Sequence, residues 1–165
     1  MQVTGAEDTA GDSAASVMVA RSPREIATRH AVSIPCRDGR DRLVSAAEAH
    51  KLAKAFGFGA KRSAEIAICA AELAGNAVKH AGGGRLVICF SPDDEALVLE
   101  CVDRGPGLDT ERAFDDGWSR GRQLGPDDAR SEGLGSGLGA IRRMATAVSA
   151  SSGPDGTVVR ARFLR

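Results

Sequence analysis

Residues 60–90 read AKRSAEIAICAAELAGNAVKHAGGGRLVICF, and a change of period inside this stretch sets the fold class. Ile66, Cys69, Ala70, Leu73 and Ala77 recur at three- and four-residue steps, which predicts a helix with one apolar stripe from about Ala60 to His80. Ala81-Gly82-Gly83-Gly84 stops it, because glycine accepts the left-handed conformation that closes a helix C-terminus. Arg85 to Phe90 (RLVICF) and Ala96 to Val102 (ALVLECV) then read as strands joined by the turn SPDDE, a hairpin signature. Upstream, Leu43, Ala46, Ala47, Leu52, Ala53 and Phe56 give helical spacing from about Arg40 to Phe56, broken by Gly57-Phe58-Gly59. Before it, Ala31 to Cys36 (AVSIPC) is a short strand ended by the turn RDGRD. Downstream, a helix from about Ser136 to Thr146 precedes two strands, Ala147 to Ser151 and Thr157 to Phe163, around the turn SGPDG. Helices followed by a mostly antiparallel sheet predict a two-layer α+β sandwich. There is no internal repeat.

Between Asp103 and Gly139 the chain is rich in Gly, Asp and Arg and has no clear period. Connections of this length inside a domain are usually functional lids or disordered. Residues 1 to about 22 are small, polar and acidic, so residues 1–30 are read as a disordered tail and residues 31–165 as one domain. A chain of 165 residues has room for one domain and buries enough surface to need no metal or disulfide staple. Lys+Arg and Asp+Glu both total 22, which argues against a general nucleic-acid binder. Aromatics are only 4%, with no Tyr, so stacking platforms for single strands are not expected either. Cys36, Cys69, Cys89 and Cys101 show no CxxC pair and lie in apolar stretches, as buried thiols of a reducing compartment do. Residues 1–16 are acidic and have no basic region before an apolar core, and no apolar run approaches the ~20 residues of a membrane span. Neither a secretory leader nor a span is therefore expected, and a cytoplasmic location is.

Three pieces carry candidate chemistry. On the long helix, Glu72 and Asn76 stand four apart and therefore share one face, beside the apolar stripe. An amide oxygen suits Mg²⁺, and a carboxylate one turn away can orient or deprotonate a nucleophile. The same pair also reads as solvated residues on a helix flank. After the second hairpin strand comes Asp103-Arg-Gly105-Pro-Gly107, a carboxylate at a strand end with glycines that permit close backbone approach. It reads equally as a turn. Gly133-Leu-Gly135-Ser-Gly137 opens the last helix, where free N–H groups and glycine suit a phosphate; a flexible linker has the same composition. Gly135 to Ala140 also fits GxGxxA, but no strand precedes it, which disfavours a dinucleotide fingerprint, and no GK[ST] follows to make a P-loop.

Together and in this order, the three pieces resemble the N, G1 and G2 boxes of the GHKL ATPase/kinase superfamily, whose members carry the Bergerat ATP-binding fold. The helix pair around GFG (Ala53 to Gly59), VDRGPGL and GLGSGLGAIRRM look most like the RsbT-type switch-protein serine kinases and related anti-sigma-factor kinases. The resemblance implies a two-layer α/β sandwich, its mixed, mostly antiparallel sheet covered on one face by helices. It implies ATP and Mg as cofactors, with Asn76 as the Mg²⁺ ligand and Glu72 as the base that activates an acceptor serine. Lys79 would contact phosphate and His80 would lie beside the nucleotide. Asp103 would accept the adenine amino group's hydrogen bond, with Gly105 and Gly107 shaping that pocket. Gly133, Gly135 and Gly137 would cradle the phosphates. The implied activity is ATP-dependent serine/threonine phosphorylation of a STAS-domain antagonist in partner switching. The implied alternative is a nucleotide-gated binding module for a sigma factor or a PP2C-type phosphatase. Ser119 to Glu132 departs from the compact lid of RsbT-type kinases, being longer and more charged. His30 and His50 read as surface residues; His50 lacks the acidic neighbour and downstream Pro of a histidine phosphoacceptor box.

Overall fold

The computed structural model describes residues 31–115, 117–119, 122–123 and 137–165. In chain order it forms β1 (Ala31–Cys36), α1 (Asp41–Ala55), α2 (Ala60–Ala81), β2 (Gly84–Ser91) and β3 (Ala96–Asp103). A two-residue pair follows, β4 (Trp118–Ser119) and β5 (Arg122–Gln123), then α3 (Gly137–Met144), β6 (Ala147–Gly153) and β7 (Gly156–Leu164). The main sheet has the order β1-β2-β3-β7-β6 and every neighbouring pair in it is antiparallel. The expected mixed sheet is thus wholly antiparallel among the described residues. Hairpins make two of the pairings, and between β1 and β2 two successive helices return the chain for an antiparallel approach.

The helix layer lies on one face, and strand alternation decides what meets it. Leu86, Cys101 and Val159 form one cross-strand row, Ile88, Leu99 and Ala161 the next, and Phe90, Leu97 and Phe163 the third; all nine are buried. The α2 stripe of Ile66, Cys69, Ala70, Leu73 and Ala77 is buried as expected, and the Cys101 thiol donates to the Leu73 carbonyl oxygen at 3.5 Å. Gly82 (φ 69°) ends α2 in the left-handed conformation, and the Gly83 N–H donates back to the Ala77 carbonyl.

The α1 stripe matches its sequence reading only in part: Ala53 is buried and Leu52 and Phe56 pack against the core, as expected. Ser45, Ala49 and Ala53 are the buried residues of α1, while Leu43 is 71% exposed and Ala47 also faces solvent. α1 packs chiefly beside α2, and small residues on that seam let the helices approach closely.

The long aperiodic stretch also contains structure: the β4–β5 pair, and the Arg112 guanidinium 4.8 Å from the Trp118 ring centroid. All four cysteines are buried and unbridged, and burial pushes the Cys69 thiol up to about 12. Among the described residues no helix is long and apolar enough to cross a membrane.

Candidate functional site

α3 is fastened at its far end by a residue of α2. The Arg62 guanidinium donates to the Met144 carbonyl oxygen and, at 2.8 Å, to Thr146 Oγ1, and it lies 5.2 Å from the Phe163 ring centroid. Arg62 therefore satisfies a carbonyl that the end of a helix leaves open. With fully buried Ile141 as the second anchor, the first residue of α3, Gly137, is set against the middle of α2. A Cβ on Gly137 would lie 2.8 Å from Glu72 Oε2 and 3.7–3.8 Å from the Asn76 amide atoms. Glu72, Asn76 and Gly137, far apart in sequence, thus meet at one place. The first-turn N–H groups of a helix and its dipole favour an anion there.

The second cluster forms where β3 ends. Asp103 Oδ1 accepts the Gly105 N–H at 2.9 Å, a local turn that folds the loop back toward the helix. Gly105 packs so tightly on the last residue of α2 that a Cβ there would lie 2.6 Å from Ala81 Cβ. Gly107 has φ +86°, a conformation that favours glycine, and the next N–H, of Leu108, donates to Ser152 Oγ at 2.8 Å. Ser152 Oγ is in turn 3.2 Å from Thr157 Oγ1. Thr157 is buried and pairs directly across the sheet with Asp103, so a hydroxyl and a carboxylate stand side by side. Asp103, Ser152, Gly156 and Thr157 line a shallow depression of about 250 Å³.

The two clusters lie along one helix. Glu72 and Ala81 are nine steps apart along α2, roughly 13 Å of rise, which suits an extended nucleoside triphosphate. Lys79 is exposed and His80 half-buried, both in the last turn of α2 between the clusters. Gly133 and Gly135 lie outside the described residues, as do residues 1–30 and most of 120–136. Sequence reading missed Ser152, Gly156 and Thr157. They sat in what reads only as the hairpin turn SGPDG and the start of a strand, and nothing local couples them to Asp103.

Residues 40–163 match the family model of the histidine kinase-like ATPase domain. The chain belongs to that family. Membership implies that the domain binds ATP. No curated protein matches the chain. Among solved structures, full-length ShkA in complex with AMPPNP is 16% identical with a TM-score of 0.48, over 73% of this chain and 29% of that one. This chain therefore spans less than a third of that protein's length. The mycobacterial sensor histidine kinase MprB is 16% identical with a TM-score of 0.48, covering 82% of this chain and 97% of that one. The histidine kinase domain of a blue-light activated kinase from Erythrobacter litoralis is 18% identical with a TM-score of 0.43, covering 76% and 59%.

Proposed function

We propose that this member of the histidine kinase-like ATPase family is a serine/threonine protein kinase of partner switching that phosphorylates a STAS-domain antagonist. The observation that carries the reading is the meeting of Glu72 Oε2 and the Asn76 amide at the start of α3. It joins a proton acceptor and a hard oxygen donor to a helix N-terminus suited to phosphate.

In this reading the adenine amino group donates to the Asp103 carboxylate, with the Thr157 hydroxyl beside it. The phosphates run along α2 toward Gly137, with Gly133 and Gly135 completing the cradle, Lys79 contacting phosphate and His80 beside the nucleotide. The donor present fits Mg²⁺: the Asn76 amide at the start of α3 offers a hard oxygen, and Asn76 Oδ1 would hold the ion with phosphate oxygens and waters. When bound, the ion neutralises phosphate charge. Phosphoryl transfer needs chiefly positioning and charge stabilisation, which is what helix N–H groups provide. Glu72 takes the proton of the acceptor hydroxyl as its oxygen bonds to the γ-phosphorus. The bond from that phosphorus to the bridging oxygen breaks, its electron pair leaves on ADP, and the proton passes from Glu72 to solvent.

The test is transfer from γ-labelled ATP·Mg to a STAS-domain protein, run beside a binding titration. Glu72→Gln should keep ATP affinity and slow transfer by roughly 10²–10⁴-fold. A Gln variant that transfers at the wild-type rate removes Glu72 from the mechanism. A wild-type protein that binds ATP and partner but never transfers phosphate replaces the kinase with a nucleotide-gated binding module.

A further inference from the structure

We infer that Arg42 is a positioning residue for Glu72, a role that rests on the kinase reading above. Arg42 Nη2 donates to Glu72 Oε1 at 3.0 Å, across the seam between α1 and α2. The other oxygen, Oε2, is the one that faces Gly137. The two carboxylate oxygens are therefore divided: one is held by a guanidinium, the other is turned to the start of α3.

The placement of Arg42 is built into the chain around it. The Asp41 carboxylate accepts the N–H groups of Arg37 (2.7 Å) and Asp38 (3.3 Å), which sets the first turn of α1. The Arg42 stem then passes over Gly75, where a Cβ would be 3.6 Å from Cδ. The pair does not serve stability, because Arg42 is 52% and Glu72 30% exposed and ion pairs this solvated contribute little. The buried seam of Ser45, Ala49 and Ala53 holds the helices together instead. What the pair does is remove rotamer freedom from a long side chain. An unheld glutamate samples several rotamers, most of which turn Oε2 away from an acceptor hydroxyl.

The experiment is a double-mutant cycle on the full chain. Transfer from labelled ATP·Mg is read with a STAS-domain protein as acceptor, phosphate release is read with water as acceptor, and ATP affinity is measured separately. Arg42→Ala should lower kcat roughly tenfold and leave ATP affinity unchanged. Arg42→Lys should restore most of the rate, since an ammonium on a flexible stem still reaches a carboxylate. On a Glu72→Gln background, Arg42→Ala should change nothing further, because there is no longer an aligned base to lose. A wild-type rate for Arg42→Ala overturns the assignment, as does weakened ATP binding in place of slowed turnover. An equal loss in both backgrounds also overturns it, since a structural defect would not depend on Glu72. If the Gln variant alone transfers at the wild-type rate, or wild-type protein shows neither transfer nor phosphate release, the kinase reading itself fails and this role goes with it.

Discussion

The two clusters at the ends of this stretch of α2 are built from different materials. At the Asp103 end, backbone meets backbone: Gly105 lies against Ala81, a Cβ on Gly84 would be 2.6 Å from the Val102 carbonyl oxygen, and one on Gly156 would overlap the Asp103 carbonyl. Ser152 then ties loop to hairpin through Leu108 and Thr157. At the Glu72 end, a bare helix start faces the tips of two side chains, and the neighbouring ion pair is open to solvent. Close-packed backbone cannot shift without cost, whereas a side-chain tip can rotate. The first end is therefore preformed by the fold. The second is adjustable, and an error there should harm chemistry before it harms folding.

Alanine substitutions at three glycines separate these properties. The largest effect is expected for Gly105→Ala, whose Cβ would lie 2.9 Å from the Ala81 Cα, an atom that moves only if the helix end moves. Chemical denaturation should show a loss of about 1–3 kcal/mol, with weaker ATP binding alongside. Neutrality in both measurements would mean that the Asp103 end is as adaptable as the other. Gly137→Ala comes next. Its Cβ meets the flexible end of Glu72, so the unfolding midpoint should stay at the wild-type value while phosphoryl transfer falls roughly tenfold. A fall in stability as large as that of Gly105→Ala would erase the contrast between the ends. Smallest is Gly75→Ala, in the interior of α2, where the new Cβ makes only ordinary contact with Arg42. Helix propensity should raise stability by about 1 kcal/mol or less, read from the denaturation midpoint. A decrease would show that the Arg42 stem needs the bare backbone.

The same contrast explains what could be read early. α2 was legible because a long, strongly one-sided helix shows its period within itself, and Ile66, Leu73 and Ala77 occupy the predicted face. α1 was legible as a helix but only in part in its orientation. Ala53 lies on the predicted stripe and is buried, but serine and alanine carry little hydrophobic signal, so the period favours Leu43 over Ser45 and Ala49, which complete the seam. Glu72 with Asn76 and Asp103 with Gly105 and Gly107 stood out as motifs because each group lies within one helix or one loop. Ser152 and Thr157 did not, since their closeness to Asp103 depends on β3 pairing on its second side with β7, a strand distant in the chain.

Side-chain period, glycine stops and turn residues act over a few neighbouring residues, and they were enough to specify the three helices and the strands of the main sheet, though not the β4–β5 pair. The antiparallel order β1-β2-β3-β7-β6, the Asp103–Thr157 pair, the approach of Gly137 to Glu72 and the Arg42 contact all depend on which distant surfaces pack together. Burial is nearly indifferent to sequence separation, so those choices were made by the core as a whole, and they exist only once it has closed.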